Sequence, residues 1–311
     1  NGREGRCRHD LFWRPGAVRI IGTVGPIMKK WNLIIDVGRC MNCNLCTLAC
    51  QDEYVGNSFP GYSAEMPKHG HRWINIHRKE RGQAPMVDVA YLPTMCNHCD
   101  VPHCLKAAKN GAVRKRDDGI VIIDPEKAKG QRQLVEACPY NHIWWNEEEQ
   151  VPQHWIFDAH LLDQGWTKTR GSQACPTGAM WTAHLDEADI ARLAEKEGLE
   201  VLHPEYGTRP RVYYKNLARF TKCFIGGSLA AEMRGVAECI EGARVSLLKG
   251  GSEIAEAGSD NYGDFKFDGL DKNSGKYRIE IRATDFRSKT LDVELGESAY
   301  LGVIDLKPVS P

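Results

Sequence analysis

The chain has 311 residues, enough for two domains of about 150 residues, each with its own core. Lys plus Arg and Asp plus Glu number 41 each, so the formal net charge is zero, which argues against a broad nucleic-acid-binding face. A hydrophobic fraction of 42% and a mean hydropathy of −0.45 accompany a chain without a run of about 20 apolar residues, so no membrane span is expected. The unusual count is 12 cysteines, nine of them between Cys40 and Cys175. They are too numerous for simple packing and too unevenly placed for a disulfide scaffold.

The first residue is Asn1, and the mildly apolar stretch 17–28 is broken by Arg19, Gly22, Gly25 and Pro26 with no twin arginine before it, so no export signal is read. Met28-Lys29-Lys30 reads as the true start, leading into a first strand over Trp31–Asp36. On that expectation residues 1–27 are dispensable and Cys7 has no role. The first cysteine run spans Cys40 to Cys50, followed by a loop rich in Gly, Pro and Asn to about residue 70. HRWINIHRKERG, from His71 to Gly82, alternates aromatic or aliphatic residues with charged ones and is expected to be a half-buried strand or a partner-facing surface. A second group, Cys96 to Cys104, precedes a hairpin expected around Asp118-Gly119. Two Cys-Pro pairs follow, at Cys138 and Cys175. A helix is expected from Asp186 as N-cap to Gly198 just past its end.

RPRVYYKNLARF, from Arg209 to Phe220, reads as a connector whose exposed basic residues are candidates for a partner interface. From about Gly235 the sequence changes to short alternating strands, around Ala243–Leu247, Phe265–Phe267, Tyr277–Ile281 and Leu291–Leu295, punctuated by glycine turns. That tail is expected to be a small β-sandwich with a docking or stabilising role. The expected organisation is an N-terminal extension (1–27), an iron-sulfur domain (28–200), a connecting segment (201–234) and the sandwich (235–311).

The spacing C-x2-C-x2-C-x3-C at Cys40, Cys43, Cys46 and Cys50 is the bacterial ferredoxin run. Its first three thiolates hold one [4Fe-4S] cube, while the fourth is carried away by the following helix towards another cluster. A distant Cys-Pro segment supplies the missing ligand. Cys96, Cys99 and Cys104 form a second triplet, C-x2-C-x4-C, so two triplets compete for Cys138 and Cys175. Zinc also uses C-x2-C pairs and four thiolates, but its sites come as two separated pairs, whereas two groups of three or more feed distant ligands here. A zinc-stabilised interaction protein is the rival reading, and it would be colourless. Buried, unligated thiols fit Cys7, Cys223 and Cys239, and a disulfide reading has no oxidising compartment to support it.

These residues resemble the iron-sulfur subunit of the dimethyl sulfoxide reductase family of molybdenum enzymes, and most nearly the subunits that accompany transhydroxylases. The resemblance rests on the two cysteine groups, HRWINIHRKERG, GAVRKRDDGIVIIDPEKAKG from Gly111, CPYNHIWWNEEE from Cys138, AHLLD from Ala159, RPRVYYKNLARF and the β-rich tail, and covers roughly residues 31–307. It implies an α+β fold, with a double bacterial-ferredoxin-like [4Fe-4S] domain followed by the sandwich. It also implies a cytoplasmic heterodimer with a large bis-molybdopterin guanine dinucleotide subunit that does the chemistry, so no catalytic residue is expected in this chain. The implied ligand sets are Cys40, Cys43, Cys46 with Cys175, and Cys96, Cys99, Cys104 with Cys138.

The departures from the family pattern matter. Ala108 stands where wider members place a further cysteine, and residues 124–133 contain none, so one of four cubes is absent. Transhydroxylase-type subunits keep a third cube on the fourth cysteine of the first run, but the positions corresponding to its other ligands are Trp155, Asp158 and Gly171 here. Two cubes are therefore expected, with Cys50 a leftover thiol and Trp155 filling part of the vacated volume. The alternative is an unusual third site using Cys50 with His154, Asp158 or His160. The function expected is an electron-transfer or structural subunit of a molybdopterin hydroxylase or transhydroxylase of polyhydroxylated aromatics. The alternative function is an electron relay in a respiratory-type reductase of an oxyanion.

Overall fold

A computed structural model describes residues 28–309. The expectations for residues 1–27 and Cys7 lie outside them. The chain opens with β1 (Lys30–Asp36), whose Leu33, Ile34 and Ile35 are fully buried. A strand apolar on both faces belongs inside a sheet, and β1 is central to a three-stranded one. After α1 (Leu45–Tyr54), the long strands β2 (Asn75–Gln83) and β3 (Met86–Thr94) form an antiparallel hairpin. Here β2 starts later than His71 because Trp73 and Ile74 are drawn into the core ahead of it.

Helix α2 (His103–Ala107) then precedes β4 (Val113–Lys115) and β5 (Val121–Ile123), the hairpin expected around Asp118-Gly119. Next come α3 (Gln133–Glu136), the small hairpin β6 (Trp144–Asn146) and β7 (Val151–Gln153), and the short helices α4 (Ala159–Leu162) and α5 (Arg170–Ala174). β8 (Met180–Leu185) pairs antiparallel with β1 and sets Met180 opposite Ile35. In α6 (Glu187–Glu197), the Asp186 side chain caps the N-terminus by accepting from Asp189 N, and Gly198 turns left-handed at the end, as its sequence predicts. The Arg- and Tyr-rich stretch that reads as a connector contributes β9 (Val212–Lys215), which closes the first sheet by pairing parallel with β1.

After α7 (Ala218–Thr221), two four-stranded sheets enclose a shared core of Ile225, Leu229, Val245, Leu247, Phe265, Ile279 and Ile281. One contains β10 (Cys223–Met233), β11 (Val236–Cys239), β14 (Asp264–Leu270) and β17 (Ala299–Asp305). The other runs β13 (Ser252–Gly258), β12 (Arg244–Lys249), β15 (Gly275–Arg282), β16 (Lys289–Leu295). The first sheet thus begins upstream of Gly235, at Cys223. Two glycines obscure β10 in the sequence, and packing explains one of them: a Cβ at Gly226 would stand 2.3 Å from Met86 Sδ of the β3 arm.

The β2–β3 hairpin is the strut between the two parts. Arg81, only 3% exposed, pairs with Asp88 of the same hairpin and with Asp268 of β14 at 2.8 Å. Arg81 therefore faces inward, and β2 as a whole is the half-buried strand that this stretch leads one to expect. Among the described residues no helix is long and apolar enough to cross a membrane.

Candidate metal centres

Asn42 and Asn44 both take left-handed backbone conformations, φ 59° and 60°, curling the chain between Cys40 and Cys46. Cys46 then sits at the start of α1. From the far end of the domain, α5 delivers Cys175, and β8 follows immediately, anchored on β1. Together Cys40, Cys43, Cys46 and Cys175 line one cavity with Ile35, Ile76, Pro93 and Met180. Burial, then the neighbouring Cys175 and Cys43, push the Cys40 thiol up against the pull of the Asn42 N–H. Burial and Cys40 push Cys46 up to about 11.

The second cavity is lined by Cys96, Cys99, Cys104 and Cys138, with Val121, Ile143, His154 and Thr208 around them. A second left-handed turn, at His98 with φ 45°, bends the loop. Burial dominates again, raising Cys96 far above the ordinary thiol value, Cys99 to about 11 and Cys104 to about 12. Cys138 is also raised by burial, while the N–H groups of His142, Tyr140 and Asn141 point at its sulfur. His142 N lies 3.4 Å from Cys138 Sγ.

A buried ion network grips this second loop. Arg211, 1% exposed, pairs with Asp100 and Glu187, and Lys115 Nζ lies 3.0 Å from Asp100. Arg211 N donates to Asn97 O at 2.8 Å, and Asp100 N to Arg209 O at 2.9 Å. The RPRVYY stretch is thus an internal brace for the cysteine loop, and Arg211 is not among its exposed basic residues. Spacing could not reveal this brace, because Asp100 and Arg211 stand 111 residues apart.

The donor set can be tested against its candidate occupants. Thiols pushed up by burial and by one another need a strong cationic centre to hold them as thiolates. A tetrahedral zinc ion, with bonds of about 2.3 Å, would draw its sulfurs to about 3.8 Å apart. Among the described residues no three of these cysteines bring their sulfurs within 4.8 Å of one another; the one such convergence joins Cys96, His98 and His154. Each four-cysteine set therefore brackets something larger than a single ion, which fits a cluster. All eleven cysteines of the described residues are free of disulfides.

Cys50 stands apart. It is 3% exposed and its thiol is raised far by burial, then by Asp158 and Cys46. Asp158, in a left-handed conformation at the start of α4, accepts from Tyr54 Oη at 2.5 Å, Trp155 Nε1 at 3.1 Å and Arg170 N at 2.7 Å. Both carboxylate oxygens are engaged. Trp155 is 1% exposed and fills this part of the core. Of the other donors considered for Cys50, His160 bonds Glu53 Oε1 at 2.8 Å and stacks on Phe59, while His154 faces Cys96 and the second cavity. At Gly171 an added Cβ would meet Met180 Sδ at 3.2 Å, so that space is also taken.

Comparison with known proteins agrees with this architecture. Residues 87–185 match a family described as a 4Fe-4S dicluster domain. The chain is 45% identical over 283 residues to the pyrogallol hydroxytransferase small subunit of Pelobacter acidigallici, covering 90% of this chain and 100% of that one. It is 30% identical over 197 residues to a tetrathionate reductase subunit of Salmonella typhimurium, covering 62% of this chain and 75% of the relative. The beta subunit of selenate reductase from Thauera selenatis is 32% identical over 183 residues, 58% of this chain and 54% of the relative. With its paired cysteine sets and its likeness to the hydroxytransferase small subunit along the whole of that protein, the chain belongs to the iron-sulfur subunits of the dimethyl sulfoxide reductase family.

Proposed function

We propose that the chain is the electron-transfer and structural small subunit of a cytoplasmic molybdopterin-dependent hydroxylase or transhydroxylase acting on polyhydroxylated aromatics. The relative with which it shares 45% identity is a pyrogallol hydroxytransferase small subunit, which supports this class of substrate. A large subunit carrying bis-molybdopterin guanine dinucleotide would hold the catalytic residues. In this reading, residues 28–222, with β9 beside β1, form a double ferredoxin-like domain, and the sandwich begins with β10 at Cys223 and not at residue 235.

Two [4Fe-4S] cubes are assigned, one to Cys40, Cys43, Cys46 and Cys175, the other to Cys96, Cys99, Cys104 and Cys138. The observation that carries the assignment is the pair of separate four-thiol cavities, each too open for one ion. Bound there, a cube would supply a one-electron couple. The protein would contribute the thiolates, N–H donors aimed at Cys40 and Cys138, and an apolar surround that keeps water off the Cys46 side. Exposed Met41, Leu45 and Leu48 flank exposed Cys43 and suit a partner lying over the first centre.

The Tyr54–Asp158–Trp155 cluster favours transhydroxylation over the alternative of an oxyanion reductase relay. It occupies the region beside Cys50, leaving only two centres to carry electrons through the subunit. A hydroxyl transfer between phenols has no net electron flow and tolerates a gap between centres. A reductase fed from outside depends on crossing it. The test is rapid-mixing reduction of the assembled complex by an external donor, followed at both centres. Slow equilibration of one centre, with transfer of hydroxyl between phenols in steady state, is expected; fast equilibration of both with oxyanion reduction would favour the relay.

A further inference from the structure

His98 lies between Cys96 and Cys99 of the second set, and its ring meets Trp155 edge to face with centroids 5.6 Å apart. Trp155 also follows His154 in the chain, and His154 lines the second cavity with those cysteines. The indole Nε1 of Trp155 donates to Asp158 Oδ1 at 3.1 Å, and Arg170 N donates to the other carboxylate oxygen, Oδ2, at 2.7 Å. The next residue, Gly171, stands against the first set: a Cβ built on it would lie 3.5 Å from Cys46 Cβ. His98, Trp155 and Asp158 are each 1% exposed, and Gly171 and Cys46 are buried. A packed route thus leads from the ligand loop of the second centre to a ligand of the first.

We infer that Trp155 and Asp158 form the electron bridge between the two centres. A tunnelling electron keeps its amplitude better along covalent and hydrogen bonds than across cavities, and a close-packed interior keeps the remaining gaps short. On this route the steps through space are His98 to Trp155 and Gly171 to Cys46, and everything between them is bonded. Asp158 closes it, with Oδ1 on the Trp155 side and Oδ2 on the Arg170 side. Tyr54 donates to the same carboxylate, but it sits on α1 beyond Cys50, so it is a branch and not a link. His98 enters through ring contact alone, and the route does not depend on which of its nitrogens carries a proton.

The electron leaves the reduced cube on one set and enters the oxidised cube on the other. No bond or proton moves, and neither Trp155 nor Asp158 is itself oxidised. Both are positioning residues that touch no substrate and act only by coupling the cubes. In a hydroxyl transfer without net electron flow, such a route passes the occasional electron that sets the redox state of the complex.

The bridge rests on the assignment of cubes to both cavities, and the experiment separates the two. In the anaerobically purified complex, iron and sulfide are counted and both potentials titrated for the wild type, Trp155→Phe, Asp158→Asn and Tyr54→Phe. One electron per complex is then delivered from a photoreduced viologen, and its redistribution between the centres is followed by freeze-quench EPR. Trp155→Phe keeps an aromatic ring but loses the indole N–H, and should slow the redistribution several-fold. Iron content, both potentials and the magnetic coupling between the reduced centres, which reports their separation, should be unchanged; a merely structural role for Trp155 would not move the rate at fixed potentials and separation. Asp158→Asn should slow it as well, because its single carbonyl oxygen can serve one side of the route and not both, and either variant decides the matter if the other fails to load. Tyr54→Phe disturbs the same buried cluster and should leave the rate alone. Wild-type redistribution in a fully loaded Trp155→Phe or Asp158→Asn variant, equal slowing in all three, or wild-type centres that never exchange the electron would overturn the bridge. Absence of cubes in the wild type would overturn the assignment itself.

Discussion

Tyr54 Oη donates a 2.5 Å hydrogen bond to Asp158 Oδ1, one turn of α1 beyond Cys50. That contact fills, with an ordinary protein hydrogen bond, the ground where a further cluster would need ligands. Trp155 Nε1 and Arg170 N complete the carboxylate's coordination, so Asp158 is a structural acceptor here. A buried donor left without its acceptor costs about 1–3 kcal/mol. Asp158→Ala strands three of them and should lower stability by about 3 kcal/mol or more, while Cys50→Ala should cost only about 1 kcal/mol as a small cavity. Iron content should be unchanged in both, as measured by metal analysis beside thermal melts. A loss of iron in Cys50→Ala would make it a ligand.

The two cavities predict separable ligand variants. Cys175→Ala should abolish or degrade only the EPR signal of the first centre, and Cys138→Ala only that of the second. The reasoning is spatial: Cys175 shares its cavity with Cys40, Cys43 and Cys46, whereas Cys138 shares one with Cys96, Cys99 and Cys104. Both substitutions damaging the same signal would mean that the sets are misassigned.

The strut between domain and sandwich is electrostatic and should show it in pH dependence. Burial pushes Asp88 up, but hydrogen bonds from Arg219 and Arg81 outweigh it and hold the carboxyl well below the ordinary range. A depressed carboxyl contributes stability that is fully present above its unfolded value, about 3.9, and lost as pH falls towards the folded one. The destabilisation caused by Asp88→Asn should therefore be constant near neutrality and shrink below about pH 4. Arg81→Ala, which leaves Asp88 with Arg219 alone and loses the bridge to partly exposed Asp268, should cost about 2 kcal/mol. Melts followed by circular dichroism across pH decide both; a pH-independent difference for Asp88→Asn would mean that these ion pairs do not hold the strut.

The cysteine spacings, the Asp186 and Gly198 caps and the Asp118-Gly119 turn were legible in the sequence because each is a local signal with a local physical cause. What escaped is non-local. Arg211 looks like a surface cation in a basic stretch until folding sets it against Asp100 and Glu187. β9 is only four residues long, and its place in the sheet is set by the parallel partner that β1 supplies. Gly226-Gly227 argues against a strand locally, yet both sit in β10, where an added Cβ would crowd Met86 at the first and Phe265 and Ile304 at the second. His98 stands inside a cysteine motif, but its neighbour His154 lies in a segment that reads, in sequence, as belonging with Cys50.

Whether this subunit holds two cubes on eight thiolates with Cys50 unligated is tested most directly by iron, acid-labile sulfide and zinc per chain in anaerobically purified protein. About eight irons with matching sulfide and no zinc are expected. About twelve irons would mean a third cube survives on non-cysteine ligands, and zinc in place of iron would contradict the redox reading altogether.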